Sequence, residues 1–182
     1  MKNFIDLHLH LDVFLLYATV KKLMKAHNFP SLTETQLKEK LSVSKKCANL
    51  QEYLNKFDLL PSFTLKKLTQ EGAVKACISG LEKFYKWQDE QQDNSYSLYA
   101  NLILCLMHLP NREHENNLTV KLAAEYVRRH VVGIDLAGPE GLIPNKDFSS
   151  FFEDAKTMHI PFTIHAGEAA SPDQCRKPRF RY

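Results

Sequence analysis

No stretch of the 182 residues stays apolar over the roughly 20 positions that a membrane-spanning helix needs. Cysteine is sparse: Cys47, Cys77, Cys105 and Cys175 are far apart, and no two make a Cys-x-x-Cys pair. They are expected to be reduced, mostly buried thiols of an intracellular protein. No leader with a charged start and an apolar middle precedes the first strand pattern. Met1-Lys2-Asn3 leads straight into it, and a cytoplasmic location is expected. A nucleic-acid footprint is missing as well. The net charge is 24 − 21 = +3, but Arg176, Lys177, Arg179 and Arg181 all sit in the tail, and without them the balance is 20 − 21 = −1. The basic excess is therefore local, and neither nucleic acid nor a membrane is an expected partner. His114-Glu115 has no second His four residues on, which excludes the helix of a zinc protease.

What is present is a globular chain, 44% hydrophobic, with enough length for one domain and a real core. Its organising stretch is Ile5-Asp6-Leu7-His8-Leu9-His10-Leu11-Asp12, which alternates apolar and polar residues without a break. Strand side chains alternate between faces, so His8 and His10 emerge side by side, with Asp6 and Asp12 on the same face. Two imidazoles held that way are half of a metal site, and neutral imidazole suits zinc. The plainer reading is an edge strand whose solvated face happens to carry His and Asp, since His-x-His is a short pattern.

Beyond it, Val13 to His27 has helical spacing, with Leu16, Val20, Leu23 and Met24 on one face, and Asn28-Phe29-Pro30 stops it. Thr33 and Gln36 have capping-box spacing for a short helix through Leu41, and a further helix carries Leu50, Tyr53, Leu54 and Phe57. Thr69 can cap a longer helix with Glu71 in its first turn and Val74, Ile78, Leu81 and Tyr85 along one face. Gln88 to Asn94 reads as a polar loop, Leu98 to Met107 as a strand buried on both faces, and His108 to Asn116 as another loop. A helix with Leu118, Leu122, Ala123 and Tyr126 then runs to Arg129.

Val131 to Gly138 reads as a buried strand ending in a glycine turn, Phe148 to Thr157 as a helix, and Ile160 to His165 as a second strand. Strand, helix, strand at this spacing is a parallel β/α unit with a right-handed crossover. Functional residues of such folds sit at the C-terminal strand ends, where His10, Asp12, Asp135, Gly138, His165 and Glu168 fall. His8, His10 and His165 would offer a zinc ion three nitrogens if the first and last strands face one cavity. A bound zinc lowers the pKa of a water in its open position towards neutrality. Glu168 could then turn inward as a proton donor; its plainer reading is a first-turn carboxylate on the next helix.

His8-Leu9-His10-Leu11-Asp12, Gly133-Ile134-Asp135-Leu136-Ala137-Gly138-Pro139-Glu140 and Thr163-Ile164-His165-Ala166-Gly167-Glu168 resemble three successive motifs of the adenosine deaminase family, in the family's order. The likeness runs through most of Met1 to about Gln174. It implies a (β/α)8 barrel that binds one Zn2+ and hydrolytically deaminates adenosine and deoxyadenosine to inosine-type products in purine salvage. By the resemblance, His8, His10 and His165 are metal ligands. His10, Asp12 and Gly138 contact the purine nucleoside, and Glu168 gives a proton to the ring nitrogen. Protonation there breaks aromaticity where the nucleophile adds. A binuclear amidohydrolase also begins with a His-x-His strand but commonly bridges its metals with a lysine, which Asp135-Leu136-Ala137-Gly138 lacks. The cytidine-deaminase signature is absent too.

The chain departs from the family in three places. It carries neither the later His-Gly pair, beside which the family's base lies, nor the adjacent acidic residues that complete the zinc site. A helix and a strand of the family are missing near Leu60 to Thr64, and Val13 stands where the family usually has glycine. About 250 residues are typical of a closed barrel, so the expected fold is α/β: an incomplete (β/α)8 barrel. Residues 1–174 form the partial barrel, and 175–182 an aberrant basic tail. Open strand edges imply a complementing chain or self-association. The alternative to a working deaminase is a non-catalytic, truncated remnant that holds zinc but lacks the base and the acidic ligand.

Overall fold

A computed structural model of the chain describes residues 6, 9–10, 17–26, 28–42, 69–91 and 97–167. The chain divides into two compact units, Met1–Leu68 and Thr69–Tyr182. Several expectations lie outside the described residues: the helix of Leu50 to Phe57, the junction at Leu60 to Thr64, Val13, the tail and most of the first strand pattern.

In the first unit, helices α1 (Tyr17–Ala26) and α2 (Glu34–Leu41) pack through Val20, Met24 and Leu37, flanked by Tyr17, Leu32 and Leu41. The expected spacing is realised: Val20 and Met24 are one helical turn apart and both are buried. Asn28 ends α1 in the left-handed region at φ 57°, which lets the Asn28 and Phe29 amides return to the Lys25 and Met24 carbonyls at 3.3 and 2.9 Å. Thr33 and Gln36 form the capping box: the Gln36 amide donates to Thr33 Oγ1 at 3.2 Å, and the Thr33 amide donates to Gln36 Oε1 at 2.9 Å.

The second unit is a three-stranded parallel sheet in the order β1-β2-β3, with β1 Leu102–Met107, β2 Val131–Ala137 and β3 Phe162–Ile164. Helix α3 (Gln70–Glu90) precedes it, α4 (Glu113–Tyr126) joins β1 to β2, and a 3-10 turn (Asn145–Phe148) with α5 (Ser149–Thr157) joins β2 to β3. The strand-helix-strand reading of Val131 to His165 is therefore met, and β1-α4-β2 repeats it. Parallel strands demand such crossovers, and the helices cover apolar side chains that water would otherwise meet. Leu106, Ile134, Leu136, Tyr126, Phe151, Phe152 and Ala155 are among the residues of one continuous core.

Thr69 caps α3 as expected, accepting from the Gly72 amide at 3.0 Å. Val74 and Ile78 are buried, and Leu81 and Tyr85 half-buried, along the expected face. Glu71 does more than face the helix start: it lies 2.5 Å from Lys75 Nζ and accepts from Tyr126 Oη at 3.4 Å.

Element boundaries differ from expectation in ways that polar partners explain. β1 begins at Leu102 rather than Leu98, because Ala100 is held by Tyr85 Oη and strand pairing begins only where the Leu102 amide meets the His130 carbonyl. Helix α3 continues to Glu90, three residues into the expected loop. Helix α4 begins at Glu113, inside the expected loop of His108 to Asn116, and ends at Tyr126 rather than Arg129. Its first turn is polar because Glu113 and Glu115 suit a helix N-terminus, and Asn116 is buried against the Met107 backbone. β3 is confined to three residues of the expected Ile160 to His165. Of the cysteines, Cys77 and Cys105 are half-buried rather than fully so, and Cys77 is a free thiol.

One glycine explains how β3 reaches β2. A Cβ on Gly133 would stand 2.6 Å from the Pro161 carbonyl oxygen, closer than van der Waals contact allows. The Ile134 amide donates to that same carbonyl at 3.0 Å, so the missing side chain permits the pairing.

Candidate active site at the strand ends

Three loops leave the C-terminal ends of β1, β2 and β3 together, carrying His108, Gly138 and His165. Strand pairing sets Cys105, Asp135 and Thr163 in one row. Thr163 and His165 are two residues apart, so both side chains can address Asp135 across the ladder. Thr163 Oγ1 donates to Asp135 Oδ1 at 2.7 Å, and His165 Nδ1 lies 2.7 Å from Asp135 Oδ2. The same Nδ1 is 3.1 Å from the Leu136 carbonyl, which also accepts from the His165 backbone amide at 3.0 Å. Asp135 Oδ2 takes no well-aligned hydrogen bond among the described residues, so its approach to the ring is an electrostatic contact, with the straighter bond going to Leu136.

Asp135 is 1% exposed, between the fully buried Ile134 and Leu136. A carboxylate in such a place needs a partner, and Thr163 with His165 supplies it. The imidazole is 24% exposed at its side chain. Such a histidine can accept a metal: with the proton on Nδ1, Nε2 carries the lone pair. Asn145 Nδ2 adds a long contact of 3.4 Å to the His165 carbonyl, and the Gly167 amide donates to Glu140 Oε1 at 2.5 Å. These two contacts link the loop after β3 to the loop after β2.

Gly138 opens that second loop at φ 131°, a backbone that side chains resist, and a Cβ there would meet His108 at 3.2 to 3.3 Å. His108, at the start of the expected polar loop, is 2% exposed and grips both ends of the loop that carries Gly138. Its amide donates to the Ala137 carbonyl at 2.9 Å, its Nε2 contacts the Ile143 carbonyl at 2.5 Å, and its ring stands edge-on to Phe148 at 4.8 Å.

Of the site residues read from the sequence, the structure brings Gly138 and His165 to adjacent strand ends. His10 is half-buried and belongs to the first unit. His8, Asp12 and Glu168 lie outside the described residues. Among the described residues no group of three His, Cys, Asp or Glu side chains could hold a metal ion. Asp135 and His108 are the residues to which sequence reasoning gave no task. A carboxylate inside the run Val131 to Ala137 was the available signal for Asp135; His108 offered none.

The family model for adenosine deaminase matches residues 62–177. The chain belongs to the adenosine deaminase family. It is 35% identical to an adenosine deaminase of Haemophilus ducreyi over 95% of this chain and 60% of that one. An adenosine deaminase of Clostridium kluyveri is 30% identical over 94% of this chain and 58% of its own length. The chain thus spans about 60% of the length of these relatives. Two solved structures share the fold: an ADAL complex with IMP, at TM-score 0.71, and Arabidopsis ADAL with IMP, at 0.70. Each is 20% identical and covers 93% of this chain and 59% of the solved one.

Proposed function

We propose that this chain is the metal-binding portion of a (β/α)8 hydrolase that deaminates adenosine, and deoxyadenosine, to the inosine product with one zinc ion. The observation that carries the reading is His165 at the end of β3, its Nδ1 held between Asp135 and the Leu136 carbonyl, beside the Gly138 turn. Relatives named adenosine deaminase support the reaction class. His8, His10 and His165 would hold the ion, whose chemical contribution is to lower the pKa of a water towards neutrality. Within this scheme His10, Asp12 and the Gly138 amide orient the nucleoside. Glu168 holds the proton that the purine ring nitrogen receives as the ring loses aromaticity. Cytoplasmic location and a complementing chain, or self-association along open strand edges, complete the proposal. Among the described residues no helix is long and apolar enough to cross a membrane.

The test is conversion of adenosine to inosine by the purified chain with added zinc, followed by ultraviolet absorbance, with Glu168→Gln purified in parallel. Turnover that disappears in the variant establishes the activity and the role of Glu168. A soluble, zinc-loaded chain that turns nothing over supports the second reading, a non-catalytic remnant.

A further inference from the structure

The carboxyl group of Asp135 has no part in the roles proposed above, yet it is buried and lies 2.7 Å from His165 Nδ1. We infer that Asp135 is a positioning residue that holds His165 as the Nδ1-protonated tautomer, so that the ring offers Nε2 to a metal ion. This rests on the proposal that His165 is a ligand.

Among the described residues, the groups that Nδ1 meets, the Asp135 carboxylate at 2.7 Å and the Leu136 carbonyl at 3.1 Å, are acceptors only. A bare Nδ1 would put its lone pair against two sets of oxygen lone pairs, one of them on the buried Asp135 carboxyl. The proton therefore belongs on Nδ1. The Leu136 carbonyl could select this tautomer alone, but a neutral acceptor adds no charge. The carboxyl group stands behind the ring as a second, acidic acceptor, the arrangement that orients a ligating imidazole and strengthens its hold on a cation. Thr163 fixes the carboxylate in turn, since its hydroxyl donates to Oδ1 at 2.7 Å and leaves Oδ2 towards the ring. Strand register makes the device rigid, because Asp135 and Thr163 are direct partners in the β2-β3 ladder. An Asp at this position is thus costly to bury but well held, and removing its charge should be felt at the metal rather than only in stability.

Two readouts test this without relying on turnover. The first is the tautomer of His165 in the metal-free, full-length chain at pH 8, read from imidazole 15N shifts, with the resonance assigned by its loss in His165→Asn. The second is the zinc dissociation constant of wild type and Asp135→Asn, measured by competition with a chromophoric chelator. Nδ1–H in the wild type, an Nε2–H population in Asp135→Asn and about 10–100-fold weaker zinc binding in the variant are the expected results. Nε2–H in the wild type overturns the inference whether or not the variant folds. So does an Asp135→Asn chain that keeps the Nδ1–H tautomer and binds zinc as tightly as wild type. Failure of the wild type to bind zinc would overturn the proposed function instead, while the tautomer comparison still decides the task of Asp135.

Discussion

The two units of this chain solve the burial problem with very different resources. Around the sheet, strands and helices share one core that includes Tyr126, Phe148, Phe151 and Phe152. The helix pair α1 and α2 closes on Val20, Met24 and Leu37, and leans on polar devices at its ends. Stability in the sheet unit is therefore expected to be a property of packing. In the helical pair it is expected to depend more on caps and local turns.

The sharpest way to break that contrast is Phe152→Ala. Phe152 is 1% exposed and its ring lies 4.9 Å from that of Phe162, so its loss should cost about 3–5 kcal/mol by denaturant unfolding of the sheet unit. Leu37→Ala, at a fully buried site, should cost about 2–5 kcal/mol, but only in the helical pair. Amide hydrogen exchange should then rise in α1 and α2 while β1, β2 and β3 stay protected; a uniform rise would show that the two units unfold together. Gly133→Ala separates backbone fit from core volume: its new Cβ would press on the Pro161 oxygen, and a loss of about 1–3 kcal/mol is expected, with faster exchange at the Ile134 amide. Thr33→Ala removes one cap and should cost about 1 kcal/mol, a larger share of the helical pair's stability than Thr69→Ala takes from the sheet unit.

The smallest effect is chemical. Burial pushes the Cys77 thiol up from its ordinary value, so less of it is thiolate at a given alkaline pH than in the unfolded chain. Because the folded value is raised, its contribution to stability is complete below the unfolded thiol pKa and is lost as pH rises through the folded one. Iodoacetamide labelling at pH 8.5, read peptide by peptide, should modify Cys77 more slowly in the native chain than in urea.

Much of this was legible in the sequence where one local interaction decides the outcome. Thr33 with Gln36, Thr69 before its helix, and the glycine turn after Val131 to Ala137 each announce their structure within a few residues. Reading failed where the deciding partner is distant or where polarity misleads. Glu113 and Glu115 look like loop residues until they are seen as the acidic first turn of α4. Asn116 and His108 are polar and buried, because each satisfies backbone groups that the β1 end or the next loop leaves open. The link from Asp135 to His165 depends on the register of two parallel strands, which no local pattern encodes. The strand-end position of His165 could be read from the β/α pattern, whereas its electrostatic support could not.

The most direct test of the account is X-ray absorption at the zinc edge of the zinc-loaded, full-length chain. A shell of nitrogen and oxygen at about 2.0–2.1 Å with imidazole outer-shell scattering is expected, and His165→Ala should remove one imidazole from it. A sulfur shell at about 2.3 Å would place the ion on cysteines instead and contradict the histidine site at the strand ends.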